Sequence, residues 1–248
     1  MRLSRPVLAL LHGWGMNARV FDALAARLEA DFEVRALDLP GHGGRAALAD
    51  NGLAAWADDL ARQLPDDSVV AGWSLGGLVA LRAALDHPRK VARLVLIAST
   101  PKFLADATWP HGVQPQDLDA FAADLMADPR ATLLRFLSLQ TRGAQAQKTL
   151  LQGLRETLLA APTPHAAALA AGLAILRDTD LREQAVALAQ PALVLHGGLD
   201  TLTPQGAGAW LAGALPQAQF LALPRAAHAP HLSHADEVAA AIDRFAHG

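Results

Sequence analysis

A serine hydroxyl is a useful nucleophile near neutral pH only when a base takes its proton and an acid orients that base. The chain carries all three residue types in turns that follow apolar runs. Ser74 lies in Gly72-Trp73-Ser74-Leu75-Gly76, between the run Val69-Val70-Ala71 and a helical pattern over Leu78 to Leu85. A strand turning so sharply into a helix strains the serine backbone and projects its hydroxyl, and Gly72 and Gly76 let strand and helix approach each other. Asp200 follows the apolar run Leu193-Val194-Leu195 and a turn containing Gly197 and Gly198. His228 stands in Ala226-Ala227-His228-Ala229-Pro230, a loop after the last apolar run. Each residue has a plainer reading. Gly-x-Ser-x-Gly also fits a glycine-softened turn, Asp200 a cap on the helix that begins near Pro204, and His228 a solvated loop side chain. The order Ser74, Asp200, His228, with each residue after a strand, favours nucleophile, orienting acid and base. Attack on a carbonyl builds negative charge on its oxygen. The expected donors to that charge are the backbone N–H groups of Leu75 and of Trp14 in His12-Gly13-Trp14-Gly15. The Trp14 ring is expected to form a pocket wall. His231 and His234 read as rim or surface residues. No carboxylate-rich shell accompanies them, so no metal site is expected.

The elements around these residues alternate. Strands are expected over Val7 to Leu11, Phe32 to Leu37, Ser68 to Ala71 and Val91 to Ala98, with helices over Phe21 to Leu28, Leu53 to Leu64 and Leu78 to Asp86. Such alternation predicts an α/β fold, a mostly parallel sheet with helices on both faces. From about Pro101 to Ala187 the strand signal disappears. Helical patterns over 116–126, 131–139, 148–159 and 165–176 are punctuated by prolines at 110, 115, 129, 162 and 164. Strands resume at Ala192 to Leu195 and Gln219 to Leu223, and a helix over Ala235 to Phe245 closes the chain. The expected organisation is a core over 1–100, an all-helical cap over 101–187 and the rest of the core over 188–248.

With 248 residues, 52% hydrophobic and 18% charged, the chain can bury one large core. A net charge of −3 offers no global field for nucleic acid. The absence of cysteine excludes disulfides, thiolate metal sites and a cysteine nucleophile. No apolar stretch reaches membrane-spanning length, and the apolar run after Pro6 is too short for a secretory signal. The expectation is a cytoplasmic monomer with no cofactor and no membrane or nucleic-acid partner.

Leu10-Leu11-His12-Gly13-Trp14-Gly15-Met16-Asn17, Asp38-Leu39-Pro40-Gly41-His42-Gly43, Gly72-Trp73-Ser74-Leu75-Gly76-Gly77, Trp109-Pro110, Arg135 to Thr141 and Ala226-Ala227-His228-Ala229-Pro230 together resemble an α/β-hydrolase with a helical cap. Within that superfamily they resemble the pimeloyl-[acyl-carrier protein] methyl ester esterases of biotin synthesis. The resemblance implies hydrolysis of that methyl ester. It places Trp14, Leu75, Phe136, Leu137, Ser138, Leu139 and Gln140 around the acyl chain, beside Ser74 and His228. Burying about five methylenes contributes about 4 kcal/mol. The implied partner is an acidic acyl-carrier protein, which would dock on cap cations: Arg130, Arg135, Arg142, Lys148 and Arg155. A solvated helix face explains those cations equally well. The chain departs from the family pattern in having only six residues before the Val7 strand, and the sheet is therefore expected to lack its usual antiparallel edge. It departs also at Thr201-Leu202-Thr203-Pro204 and at His231, both expected at the pocket mouth. Other hydrolases of this fold (short-chain carboxylesterases, enol-lactonases, carbon–carbon hydrolases) share the triad. A non-catalytic receptor on the same scaffold is the reading from another class.

Overall fold

The computed structural model describes residues 5–248. Six parallel strands form one sheet: β1 Val7–Leu11, β2 Glu33–Leu37, β3 Ser68–Trp73, β4 Val91–Ile97, β5 Ala192–Gly197 and β6 Ala218–Leu223, in the order β2-β1-β3-β4-β5-β6. The inner strands read as unbroken apolar runs because both faces are covered, and every residue of β3 and β5 is buried. The outer strands β2 and β6 are partly exposed. Every pairing in the sheet is parallel. Among the described residues no antiparallel strand extends it beyond β2.

Strand order reverses between β1 and β3. The connection from β1 to β2 runs one way along the sheet, and those from β2 to β6 run the other way. Right-handed crossovers therefore place α1 (Asp22–Leu28) on one face and α2 (Leu53–Gln63), α3 (Leu75–Asp86) and α9 (Gln205–Ala214) on the opposite face. The C-terminal helix α11 (Ala235–His247) packs against α1. It turns Val238, Ala241, Ile242 and Phe245 inward at helical spacing. The reversal opens a crevice at the C-terminal ends of β1 and β3, where open α/β sheets bind ligands.

A helical cap is inserted between β4 and β5. It comprises α4 (Pro115–Ala127), α5 (Pro129–Gln140), α6 (Gln147–Leu159), α7 (Ala166–Asp178) and the short α8 (Arg182–Ala185). Prolines occupy the first turns of α4 and α5, where a missing N–H costs nothing. Asp128 caps α5 by accepting a hydrogen bond from the Ala131 amide.

Two boundaries differ from the sequence pattern. α3 begins at Leu75, three residues before the apolar periodicity starts, because Gly76 and Gly77 form a buried first turn without side chains to mark it. α10 (Pro230–Ser233) is a single turn, too short for any period to show.

Candidate active site

The elbow after β3 explains why the motif takes its form. Ser74 has a φ of 55° and a ψ of −119°, a strained conformation for a residue with a Cβ. A Cβ on Gly72 would lie 2.3 Å from the Gly76 carbonyl oxygen, and one on Gly76 would lie 2.5 Å from that of Leu11. Only glycine lets β3, α3 and β1 converge at this corner. The Ser99 hydroxyl donates to the Ser74 carbonyl at 2.9 Å and anchors the strained residue.

Three side chains from three loops meet there. The Ser74 hydroxyl lies 3.0 Å from His228 Nε2, and His228 Nδ1 lies 2.8 Å from Asp200 Oδ2. Facing a carboxylate, Nδ1 carries the ring proton, which leaves Nε2 free to accept from Ser74. Asp200 and His228 are almost fully buried. Asp200 Oδ1 accepts from the amides of Leu202 and Thr203, and Oδ2 also lies 2.8 Å from the Thr203 hydroxyl. Burial alone would raise the Asp200 carboxyl. The charge and hydrogen bond of His228, then His196 and the Thr203 amide, outweigh it and hold the group below the ordinary carboxylate range.

The His228 backbone is clamped on both sides. Its N–H donates to the Gln140 carbonyl at the end of α5, and its carbonyl accepts from the Trp73 indole N–H at 2.7 Å. The base is thus tied to the cap and to the strand that carries Ser74. The loop after β1 is held by His12. Its Nδ1–H donates to the Gly13 carbonyl at 2.8 Å, and its Nε2 accepts from the Leu39 amide at 3.0 Å. This loop presents the Trp14 amide, which has no acceptor among the described residues. The Leu75 amide is the first of α3, one of those a helix leaves without an internal partner.

Ser74 and His228 open into a cavity of about 110 Å³ between sheet and cap. Its walls are otherwise almost wholly apolar. Trp14 stacks edge-on against Phe121 and Phe136, and Leu139, Leu173 and Leu176 continue the lining. The Trp14 indole N–H donates to the Leu169 carbonyl of α7. Gly172 makes room for that ring, since a Cβ there would lie 2.6 Å from it.

Several expected site residues lie elsewhere. Of the α5 segment, Phe136 and Leu139 line the cavity, whereas Leu137, Ser138 and Gln140 do not. Leu137 and Gln140 are three residues apart on the neighbouring face of α5, which is turned inward and buried. Leu75 is buried beside the cavity and is not among its lining residues. The five cap cations are exposed and lie outside the cavity, with Arg135 bound to Asp124 at 2.8 Å. Among the described residues no cluster of His, Cys, Asp or Glu is placed to hold a metal. Asp200 does not act as a cap for α9, which begins at Gln205 with Pro204 before it. Sequence reasoning missed the supporting parts played by Thr203, Trp73 and Gly172. A glycine inside an otherwise helical pattern was a readable signal for Gly172.

His231 corrects an expectation. It is neither rim nor surface but fully buried, packed between Trp73 and Phe21 with ring centroids 4.6 and 5.0 Å away. The α10 turn folds it under Trp73. Neither of its ring nitrogens has a partner among the described residues. Burial, followed by repulsion from His228, lowers its pKa to about 3, and burial with repulsion from His42 lowers that of His12 to about 3. Both rings stay neutral in the folded chain and take up protons on unfolding below their ordinary value. Their contribution to stability is therefore full above about pH 6.5 and falls as pH drops toward 3, by about 1.4 kcal/mol per pH unit for each histidine. His231→Phe removes one such proton and two unpartnered buried nitrogens. Urea unfolding between pH 7 and pH 4 is expected to show a shallower acid limb for the variant.

The chain matches the family model for the alpha/beta hydrolase fold over residues 6–235. It is 44% identical to the pimeloyl-[acyl-carrier protein] methyl ester esterase of Aromatoleum aromaticum, over 99% of this chain and 100% of that protein. The protein of the same name from Nitrosomonas europaea is 41% identical, over 96% of this chain and 94% of its own length. The chain is an α/β-hydrolase of the pimeloyl-[acyl-carrier protein] methyl ester esterase family. Among solved structures, an esterase from Exiguobacterium antarcticum superposes with a TM-score of 0.89 at 22% identity, covering 99% of this chain and 93% of that one. An enol-lactonase from Burkholderia xenovorans superposes with a TM-score of 0.83 at 20% identity, covering 99% and 93%. At these identities the likeness establishes the fold. The hydrogen-bonded Ser74, His228 and Asp200 make this member of the family a serine hydrolase.

Proposed function

We propose that the chain hydrolyses the methyl ester of pimeloyl-[acyl-carrier protein], releasing methanol and the free carboxylate. The observation that carries the reading is the chain Ser74–His228–Asp200 opening into a narrow apolar cavity beneath the cap. Ser74 Oγ attacks the ester carbonyl while His228 Nε2 takes its proton. Asp200 holds the imidazole in the tautomer that can accept and stabilises the imidazolium that forms. The amides of Trp14 and Leu75 receive the developing oxyanion. His228 returns the proton to departing methanol, then activates the water that hydrolyses the acyl-enzyme. Trp14, Phe121, Phe136 and Leu139 bury the methylenes.

The cap, residues 101–187, is the proposed docking face for the acidic carrier. Arg130, Arg142, Lys148 and Arg155 are exposed and have no ion-pair partner among the described residues. Reversing two charges with Arg142→Glu and Lys148→Glu is expected to raise KM for the carrier-bound ester roughly tenfold at low salt, with the difference narrowing as salt is added. The same pair of substitutions should alter hydrolysis of a p-nitrophenyl ester far less. Equal effects on both substrates would remove these cations from docking and leave the hydrolase chemistry standing. Among the described residues no helix is long and apolar enough to cross a membrane.

A further inference from the structure

The cavity wall has one residue that its apolar character does not explain. Asp117, in the first turn of α4, lines the cavity together with Leu118, Phe121 and Val113. Its outer side is exposed, so it stands at the mouth and not against Ser74. Apart from His228 it is the cavity's only ionisable side chain among the described residues. Asp124 on the same helix is neutralised by Arg135, whereas Asp117 has no cation within ion-pair distance among the described residues. A carboxylate in the first turn favours the helix start. That role does not require the side chain to line the cavity, and Asp119, two residues further along the same helix, is exposed and lies outside the lining.

We propose that Asp117 is a specificity-determining residue that selects esters whose far end is uncharged and rejects those ending in a free carboxylate. The inference rests on the ester-hydrolysis reading above and deepens it. An acyl chain anchored by its ester carbonyl at Ser74 runs outward along the apolar wall and brings its distal end toward Asp117. A thioester continuing into a neutral arm passes the carboxylate without repulsion. A free distal carboxylate meets a like charge at the edge of a low-dielectric cavity, where water screens it incompletely. The half-ester of a dicarboxylic acid is thereby disfavoured against the same acyl group carried on a neutral linker. Selection of this kind would direct the enzyme to the carrier-bound form and away from free half-ester.

Two soluble probes of equal chain length test this: dimethyl pimelate, which is neutral, and monomethyl pimelate, which is anionic. The quantity read is the ratio of kcat/KM for the half-ester to that for the diester. Asp117→Asn is expected to raise this ratio roughly three- to a hundredfold, the range for unit charges about 6 Å apart between aqueous and protein-surface dielectric. The gain should fall on KM for the half-ester and shrink as salt rises. Asp119→Asn, which removes the same charge from the same helix outside the cavity, should leave the ratio where it stands in the unaltered chain. A ratio unmoved by Asp117→Asn, or moved equally by Asp119→Asn, overturns the proposal. Failure of the unaltered chain to hydrolyse either probe would instead overturn the ester reading, and this inference with it.

Discussion

Ser74→Ala is expected to lower kcat by roughly 10⁴–10⁶ while leaving the fold intact. The expectation follows from how the elbow is built. The strained backbone at residue 74 is set by the convergence of β1, β3 and α3 around Gly72 and Gly76, and alanine can occupy it as serine does. The Ser99 hydroxyl still has the carbonyl of residue 74 to bind. The loss therefore falls on the hydroxyl alone, which is exchanged for hydrogen beside an otherwise complete base and oxyanion site. Circular dichroism should match the unaltered chain. Labelling by a fluorophosphonate should disappear. Near-full ester hydrolysis by the variant would mean that another group attacks the ester, and a chain whose Ser74 never labels would be a receptor on a hydrolase scaffold.

Asp200→Asn is expected to cost about 10⁴ in kcat, the scale of tautomer loss in other Ser-His-Asp enzymes. The hydrogen bonds around Asp200 dictate the failure. Oδ1 accepts from two backbone amides, so an asparagine must keep its carbonyl oxygen there. Its NH₂ group then faces His228 Nδ1, where it donates instead of accepting. The imidazole responds by moving its proton to Nε2. In that tautomer it cannot take the Ser74 proton. The Thr203 hydroxyl loses one acceptor and retains another in the Ala98 carbonyl, 3.1 Å away, so the loop should keep its shape. An unchanged rate would remove Asp200 from the mechanism.

The parts of this site that were legible in the sequence are those under backbone constraint. A tight elbow needs glycine at 72 and 76, and a parallel sheet with both faces covered needs unbroken apolar strands. Such requirements leave a local pattern. The strand–elbow–helix arrangement and the order of Ser74, Asp200 and His228 could thus be read before any coordinates. What the sequence hid depends on contacts between distant segments. Nothing near His231 announces that α10 folds it beneath Trp73, because burial of a single turn is decided by what packs over it. The family resemblance implies one pocket-lining stretch over 136–140, yet the helix period sends Phe136 and Leu139 to the cavity and Leu137 and Gln140 to the interior. Nothing in the local sequence sets Asp117 apart from an ordinary acid at a helix start. Its place in the cavity wall depends on how the cap sits on the sheet.

The proposed reaction is hydrolysis by Ser74, beneath this cap, of a methyl ester borne on an acyl-carrier protein. Its most direct test is methanol release from pimeloyl-[acyl-carrier protein] methyl ester, measured beside formation of the carrier-bound free acid. The two products are expected in equal amounts, with both lost in Ser74→Ala. A chain that cleaves simple p-nitrophenyl esters yet leaves the carrier-bound methyl ester intact would contradict it.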